Sequence, residues 1–458
     1  MGFIGREEEL NLLNGFIKSD NFESILIYGR RRVGKSELIK HCLETNDVLS
    51  IYYESKQTSE QNNLISLSNI VSYSLKLPLG FNSIEELLEF IFSQSLDKKI
   101  ILVIDEYPFL KAKVEGMDSI LQTLIDKYAN TSKLKLIICG SYIQIMKDLL
   151  SAHNPLYGRF KKSIDLLPMN YYDASKFYNK FSNEDKVALY SVFGGIPYYN
   201  SLISENKTVK ENIIDLIASK DSSLFQEIPS FLNTEISRIV NANEVFEALG
   251  KGYHKFVDIT NKSYVSSAPS TIDVLNQLIN LRLVEKRAPI NDENNRKKSS
   301  YYISDNLALF YYKYIFPNQS IINVMNKNIF FDSFINEDLY TKYIPKQFEN
   351  ICKEYLIKEN KNNKLKTPFF KIGTYYYDNP ETKTKGEFDV VTLDKNGYIF
   401  YECKYKEKTI NKEIIDEEIE QIKKTGLNCY KFGFFSKSGF DNNIDKNIIK
   451  YNIDDLFI

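Results

Sequence analysis

The sequence predicts an α/β protein. A parallel sheet with helices on both faces comes first. A helical stretch, a helix–hairpin unit and a second α/β unit follow. Three observations carry this reading. Apolar strand candidates alternate with helical patterns up to about residue 169, the signature of a parallel sheet. One of them, Lys99-Ile-Ile-Leu-Val-Ile-Asp105-Glu106, is apolar without a break and ends in two acids. Such a run reads as a strand buried on both faces. Finally, residues 29–36 read Gly-Arg-Arg-Arg-Val-Gly-Lys-Ser, between a strand candidate and a helical pattern.

The chain opens with Phe3-Ile-Gly-Arg-Glu-Glu-Glu-Leu10, a short loop entering a helix. The strand Ser24-Ile-Leu-Ile-Tyr28 comes next, and the helical pattern Lys35 to Leu43 follows the glycine-rich stretch. That stretch matches G-x-x-x-x-G-K-[ST] completely, in the strand–loop–helix context the motif requires. A glycine-rich loop lets backbone N–H groups close around phosphate oxygens, and the helix adds its positive dipole end. Gly29, Arg30, Arg31, Arg32, Val33, Gly34, Lys35 and Ser36 are therefore expected to cradle ATP. Lys35 would reach the β and γ phosphates, and the Ser36 hydroxyl would hold Mg²⁺. The opening loop and helix could then lie over an adenine base, though by composition they read only as a capped helix.

Further strands are expected at Leu49–Tyr53, Lys99–Asp105, Lys135–Ser141 and Lys162–Met169. Ser83 with Glu86 three residues on reads as a capping box. Acids at the carboxyl end of a central strand stand where open α/β sheets bind ligands. Asp105 is expected in the Mg²⁺ shell, and Glu106 is expected to orient and polarise the attacking water.

From Asn170 to Thr234 the pattern turns helical, punctuated by Gly194-Gly-Ile-Pro197. Residues 244–305 read helix, helix and hairpin, the winged-helix pattern. Ser266–Ser270, with Pro269, marks the turn before the amphipathic helix Ser270–Leu281. The strands Leu283–Arg287 and Tyr301–Ile303 enclose a polar loop whose Lys297 and Lys298 could contact phosphate or simply be solvated. A unit of this kind also serves as a packing module without DNA contact.

After Pro317 a polar, aromatic-rich connection leads to a region at about 340–458. It reads helix Pro345–Glu359, strands Gly386–Leu393 and Tyr398–Tyr405, helix Lys412–Lys424 and strand Tyr430–Ser436. Asp389 in one strand precedes Glu402-Cys-Lys404 in the next by thirteen residues, the spacing of a PD-(D/E)xK nuclease. Asp389 and Glu402 could share a divalent cation. Lys404 falls on the face of Glu402 because strand side chains alternate. Glu349 and Gln421, on the flanking helices, could point toward the same place. Acid and lysine alternating on a solvated strand face is the plain alternative.

Composition bounds the rest. The net charge of −1 argues against a dominant basic nucleic-acid footprint, though not against a local one. Five scattered cysteines without a C-x-x-C pair suit a reducing cytoplasm and suggest no zinc site. The three histidines are too dispersed for a metal cluster. No apolar stretch has the length of a membrane span, and the N-terminus does not read as a signal peptide.

The ordered series Gly5-Arg6-Glu7, Gly29–Ser36, Ile104–Leu110, Cys139-Gly-Ser141, Pro155–Arg159, Gly194–Pro197 and Asp389/Glu402/Lys404 resembles one known group. These are the archaeal-type ATPases of the AAA+/STAND superfamily that carry a C-terminal PD-(D/E)xK domain. The resemblance implies a P-loop ATPase core at 1–169, a helical lid at 170–240, a winged helix at 241–320 and a restriction-endonuclease-like domain at 321–458. It also implies that Ser141 is the sensor of the γ-phosphate and that Arg159 is an arginine finger acting across subunits of a homo-oligomer. The Gly194–Pro197 segment resembles the lid motif, but no basic second sensor is assigned there. The expected function is Mg²⁺-dependent ATP hydrolysis coupled to DNA binding or processing. A STAND-type switch with a non-cleaving C-terminal interaction domain is the alternative, and DNA binding without cleavage is a third reading.

Overall fold

Continuous β-branched and leucine runs build the first sheet. In the computed structural model, which describes residues 2–230, 239–265, 267–295, 297–379, 384–427 and 429–458, it has five strands. They are β1 Glu23–Tyr28, β2 Leu49–Glu54, β3 Ile100–Asp105, β4 Lys135–Gly140 and β5 Lys162–Asp165. The order is β2-β3-β4-β1-β5, and every pairing is parallel. All residues of β3 and β4 are buried, as strands covered on both faces must be. Each fully buried Ile or Leu there contributes on the order of 2 kcal/mol of transfer free energy.

The order places β4 between β1 and β3, so the carboxyl ends of three strands converge. The strand expected to reach Met169 stops at Asp165. Its last partner, Tyr28, is the final residue of β1, and only Leu166 N–H still reaches back, to Tyr28 O at 2.7 Å. At the helix Ile84–Gln94 the Ser83 hydroxyl accepts from Glu86 N–H at 3.1 Å, as a cap should. Glu86 reaches back one residue further than expected, to Asn82 N–H at 2.8 Å, so the capping box is not reciprocal.

The chain divides into two units, Met1–Pro168 with Ile196–Tyr198, and Met169–Gly195 with Tyr199–Ile458. In the second, the helices Ala242–Gly250, Phe256–Lys262 and Ala268–Asn280 precede the antiparallel hairpin β6 Val284–Arg287 and β7 Ser300–Ile303. Ser267 caps the third helix, accepting from Ser270 N–H at 3.3 Å. Ser266 and residues 231–234 of the expected helical stretch lie outside the described residues.

The hairpin loop is docked at its start and at Lys298, while Glu293, Asn294 and Lys297 are exposed as its polarity suggests. Ile290 is buried among Val391, Phe400 and Ile422, and its N–H donates to Thr374 O at 2.8 Å. Asn291 brackets Tyr376, donating to its carbonyl at 2.8 Å and accepting from its N–H at 3.1 Å. Lys298 is held by Asp292 at 2.8 Å and lies 4.7 Å from the Tyr376 ring centre. Lys297 alone of that pair is exposed. The connection after Pro317 carries the helices Gln319–Ile322 and Lys327–Phe334, whose Ile322, Phe330 and Phe331 find buried positions.

The helix Ile344–Lys361 packs beside a second five-stranded sheet. Its strands are β8 Phe369–Asn379, β9 Thr384–Asp394, β10 Gly397–Lys404, β11 Cys429–Ser436 and β12 Ile449–Asn452. The order is β12-β11-β10-β9-β8. The β8-β9-β10 pairings are antiparallel and the β10-β11-β12 pairings are parallel.

Candidate active site

The loop after β1 is pinned from several sides. Gly29 has no room for a side chain, since a Cβ would stand 2.3 Å from Leu166 O. Gly34 adopts φ 93, a backbone that favours glycine, and hands the chain to the helix Lys35–Glu44. The Arg6 guanidinium donates to Val33 O at 3.1 Å and to Leu167 O at 2.7 Å. Arg30 and Val33 are buried, Arg31 and Arg32 exposed, and the Arg32 guanidinium lies 4.2 Å from the Tyr198 ring centre.

Within this frame the candidate side chains form one hydrogen-bonded chain. The buried Lys35 ammonium donates to Gly29 O and Arg30 O at 3.0 Å each, and to Ser141 Oγ at 2.8 Å. The Ser141 hydroxyl donates to the Glu106 carboxylate, which also accepts the Ser141 N–H at 3.2 Å. Ser36 donates to Asp105 Oδ2 at 2.6 Å. The Asp105 Oδ1 accepts the Glu106 N–H at 2.9 Å. Asp105 is 1% exposed, and Glu106 adopts the left-handed φ of 48. That conformation costs about 1–2 kcal/mol in a residue with a Cβ.

Tyr52, from β2, donates to the same Asp105 oxygen at 2.5 Å. Burial, and then the Asp105 charge, hold its phenol protonated well above the usual range. The hydroxyl and carboxylate oxygens of Ser36 and Asp105 are the hard donors a Mg²⁺ ion prefers. Arg159 is elsewhere occupied. Its guanidinium grips Asp126 with two bonds of 3.2 and 2.9 Å, and also donates to Tyr157 O at 2.9 Å.

A second cluster lies where β9 and β10 part. Their ladder ends at Val390–Tyr401, so Asp389 and Glu402 are the next residues across. Asp389 alternates with Val391 and Glu402 with Phe400. Both apolar residues pack in the same core under Ile422, so the two acids share one sheet face. Each acid meets a lysine. Lys346 bridges Glu349 at 2.8 Å and Asp389 at 2.9 Å. Lys404 bridges Glu402 at 2.9 Å and Glu418 at 2.6 Å.

Burial, aided by the Asp389 charge, pushes the Glu349 carboxyl up to about 7. Burial also raises Glu402, partly offset by Lys404. The Asp389 charge is among the causes at both Glu349 and Glu402, a repulsion that a cation would relieve. Even so, no group of three or more His, Cys, Asp or Glu among the described residues is gathered closely enough to hold a metal ion. Gln421 is exposed. Glu418 takes the facing position because it shares the helix stripe of the buried Ile415 and Ile422.

Known proteins resemble this architecture. A family described as an ATPase domain predominantly from Archaea matches residues 3–201. Another, described as Archaea bacterial proteins of unknown function, matches residues 311–418. An uncharacterized protein of Methanocaldococcus jannaschii is 33% identical over 436 residues, 94% of this chain and 94% of that one. The chain belongs to this archaeal ATPase family. An uncharacterized ATP-binding protein of the same organism is 44% identical to this chain over 46 residues, 10% of this chain and 78% of that one. Among solved structures, the Walker-type ATPase of Pyrococcus abyssi aligns at TM-score 0.52 with 16% identity. It covers 68% of this chain and 96% of that chain, and at such identity the likeness is one of fold.

The sequence pattern did not single out Tyr52, Lys346 and Glu418. Tyr52 carried a signal, since β2 was expected and its side chains alternate. Lys346 falls on one helix stripe with Glu349, an i to i+3 relation readable once the helix is assigned. Among the described residues, no helix is long and apolar enough to cross a membrane.

Proposed function

We propose that the chain binds and hydrolyses ATP with Mg²⁺ at Lys35, Ser36, Asp105 and Glu106. Its nucleotide state would control DNA binding or processing through a nuclease-like C-terminal domain. The observation that carries the ATPase reading is the continuous chain from Lys35 through Ser141 to Glu106, with Ser36 on Asp105 beside it. Arriving phosphate would take over the Lys35 donors now spent on Ser141 and the loop carbonyls. The Ser141 hydroxyl, freed from Lys35, is then available to sense the γ-phosphate. Glu106, loosened from Ser141, would accept a hydrogen bond from the attacking water and orient it in line. Ser36 and Asp105 would hold the Mg²⁺, whose charge offsets that on the phosphate oxygens. Arg159, released from Asp126, would serve a neighbouring copy's site.

In this reading residues 1–169 form the core, 170–240 the lid, 241–320 the winged helix and 321–458 the nuclease-like domain. Support for the last is the mixed sheet with Asp389, Glu402 and Lys404 at the parting of β9 and β10. A specific observation favours the second reading, a switch whose C-terminal domain does not cleave. Lysines already neutralise both candidate metal ligands. Nicking of supercoiled plasmid DNA with Mg²⁺ or Mn²⁺ separates the two. Cleavage that disappears in Asp389→Asn and Lys404→Ala while ATP turnover persists supports the first. A wild-type protein that leaves the plasmid intact sinks it and leaves the switch.

A further inference from the structure

The second unit contains a cleft of about 670 Å³ between the hairpin strands, the helix Ile344–Lys361 and the β8 edge. Its charge is one-sided. Lys251, Lys286, Arg287, Lys346 and Lys353 line it, against the acids Glu285 and Glu354, although Lys251 is also paired with Glu247 and Lys346 with Glu349 and Asp389, which do not line it. Lys313 and Lys342 reach it too but are ion-paired with Asp338. Glu285 is spent on Arg287, and Glu354 is held by Tyr171 N–H at 2.9 Å and by the Tyr190 hydroxyl. Lys353, half-buried, makes no hydrogen bond or ion pair among the described residues. Burial, and then the nearby Arg287 charge, depress its ammonium below the usual range. The Asp389 and Glu349 charges offset this only in part, and a cation left desolvated is a position that an anion would stabilise.

Two features indicate which anion. Lys346 lines the cleft and also contacts Asp389, so the basic wall runs up to the second cluster. Tyr302 lines it as well, but its ring is covered by His254 at 4.3 Å and by the Arg287 guanidinium at 4.4 Å, so it offers no open face for a base and the wall meets a strand through its backbone. The volume is that of a small-ligand pocket. A duplex, wider as a whole than its major groove of about 12 Å, does not enter such a space. We infer that this cleft takes the phosphodiester backbone of one nucleic-acid strand and leads it to Asp389. The inference rests on the DNA-directed reading of the C-terminal domain and adds to it the strandedness and the route.

The test is fluorescence anisotropy of a labelled oligo-dT strand with the full chain, in EDTA and low salt. Lys251→Glu/Lys286→Glu changes two exposed positions, and Lys353→Met tests the half-buried one. The double variant is expected to weaken binding at least about tenfold, with a salt slope shallower by about 0.7 for each phosphate that is no longer neutralised. Lys297→Glu/Lys395→Glu, the same charge change at two exposed positions outside the cleft lining, is expected to leave affinity within about twofold, which excludes a mere net-charge effect. Wild-type binding that persists unchanged in both cleft variants overturns the cleft while leaving DNA binding intact. A wild type that retains no nucleic acid overturns the DNA-directed reading as well. Tighter binding of duplex than of single strand overturns the strand assignment. Displacement by dTMP at equal phosphate concentration makes the cleft a mononucleotide pocket and overturns it too.

Discussion

Asp105 has three donors around it, Ser36, Tyr52 and the Glu106 N–H, and almost no solvent. A buried carboxylate is tolerated only when its lone pairs are so used. Tyr52→Phe removes one donor and should cost about 1–3 kcal/mol in urea unfolding, with ATP affinity changed only a few-fold. An unchanged midpoint would mean the phenol contributes nothing. Lys35→Ala removes the point charge expected on the β and γ phosphates. A charge-assisted bond contributes about 1.5–3 kcal/mol, so the dissociation constant for ATP should rise at least about tenfold. Equal affinity by titration calorimetry would remove Lys35 from the phosphate site. The motif at 29–36 and the acids at 105–106 were legible because each is local, a fixed spacing on one loop or strand end. Tyr52 was not, since its partner comes from a neighbouring strand and depends on the strand order.

At the scale of elements, alternation and apolar runs exposed most strands, including β9, β10 and β11, and the helix Lys412–Lys424 to its ends. They hid β8, where Tyr375-Tyr-Tyr377 breaks the two-residue alternation, and β12, which is short. The hairpin loop misled for another reason. Its polar residues bond to the β8 edge, a partner some eighty residues away that no local pattern announces. Ile290→Asp should therefore destabilise the second unit by at least about 2 kcal/mol, because it takes an apolar side chain out of the core and buries a charge there. A change within about 0.5 kcal/mol would show that the docked loop is not held by packing.

The helix Ile344–Lys361 offers a pH test. Burial pushes the Glu354 carboxyl up to about 7, above the unfolded value of about 4.3. Its contribution to stability is thus fully present below about pH 4.3 and is lost as pH rises through about 7. Glu354→Gln cannot ionise and should lose less stability than wild type between pH 5 and pH 8, by up to about 3 kcal/mol. Parallel pH profiles would contradict this.

At the scale of the whole molecule, the account joins an ATPase core to a nucleic-acid-directed unit. Assembly has its own signature. If Arg159 acts in trans, Arg159→Ala should depress turnover about a thousandfold with little change in ATP affinity. Mixing it with Lys35→Ala should restore part of the activity, because one composite site then has both groups. Turnover per subunit that is independent of protein concentration, or a mixture that stays inactive, would contradict the finger. The most direct test of the central claim is steady-state ATP hydrolysis by the full chain, wild type against Glu106→Gln, with and without Mg²⁺ and single-stranded DNA. The account predicts Mg²⁺-dependent wild-type turnover that responds to DNA. It also predicts a Glu106→Gln protein that binds ATP but turns over about 10²–10⁴ times more slowly. Equal turnover by the two proteins would contradict it.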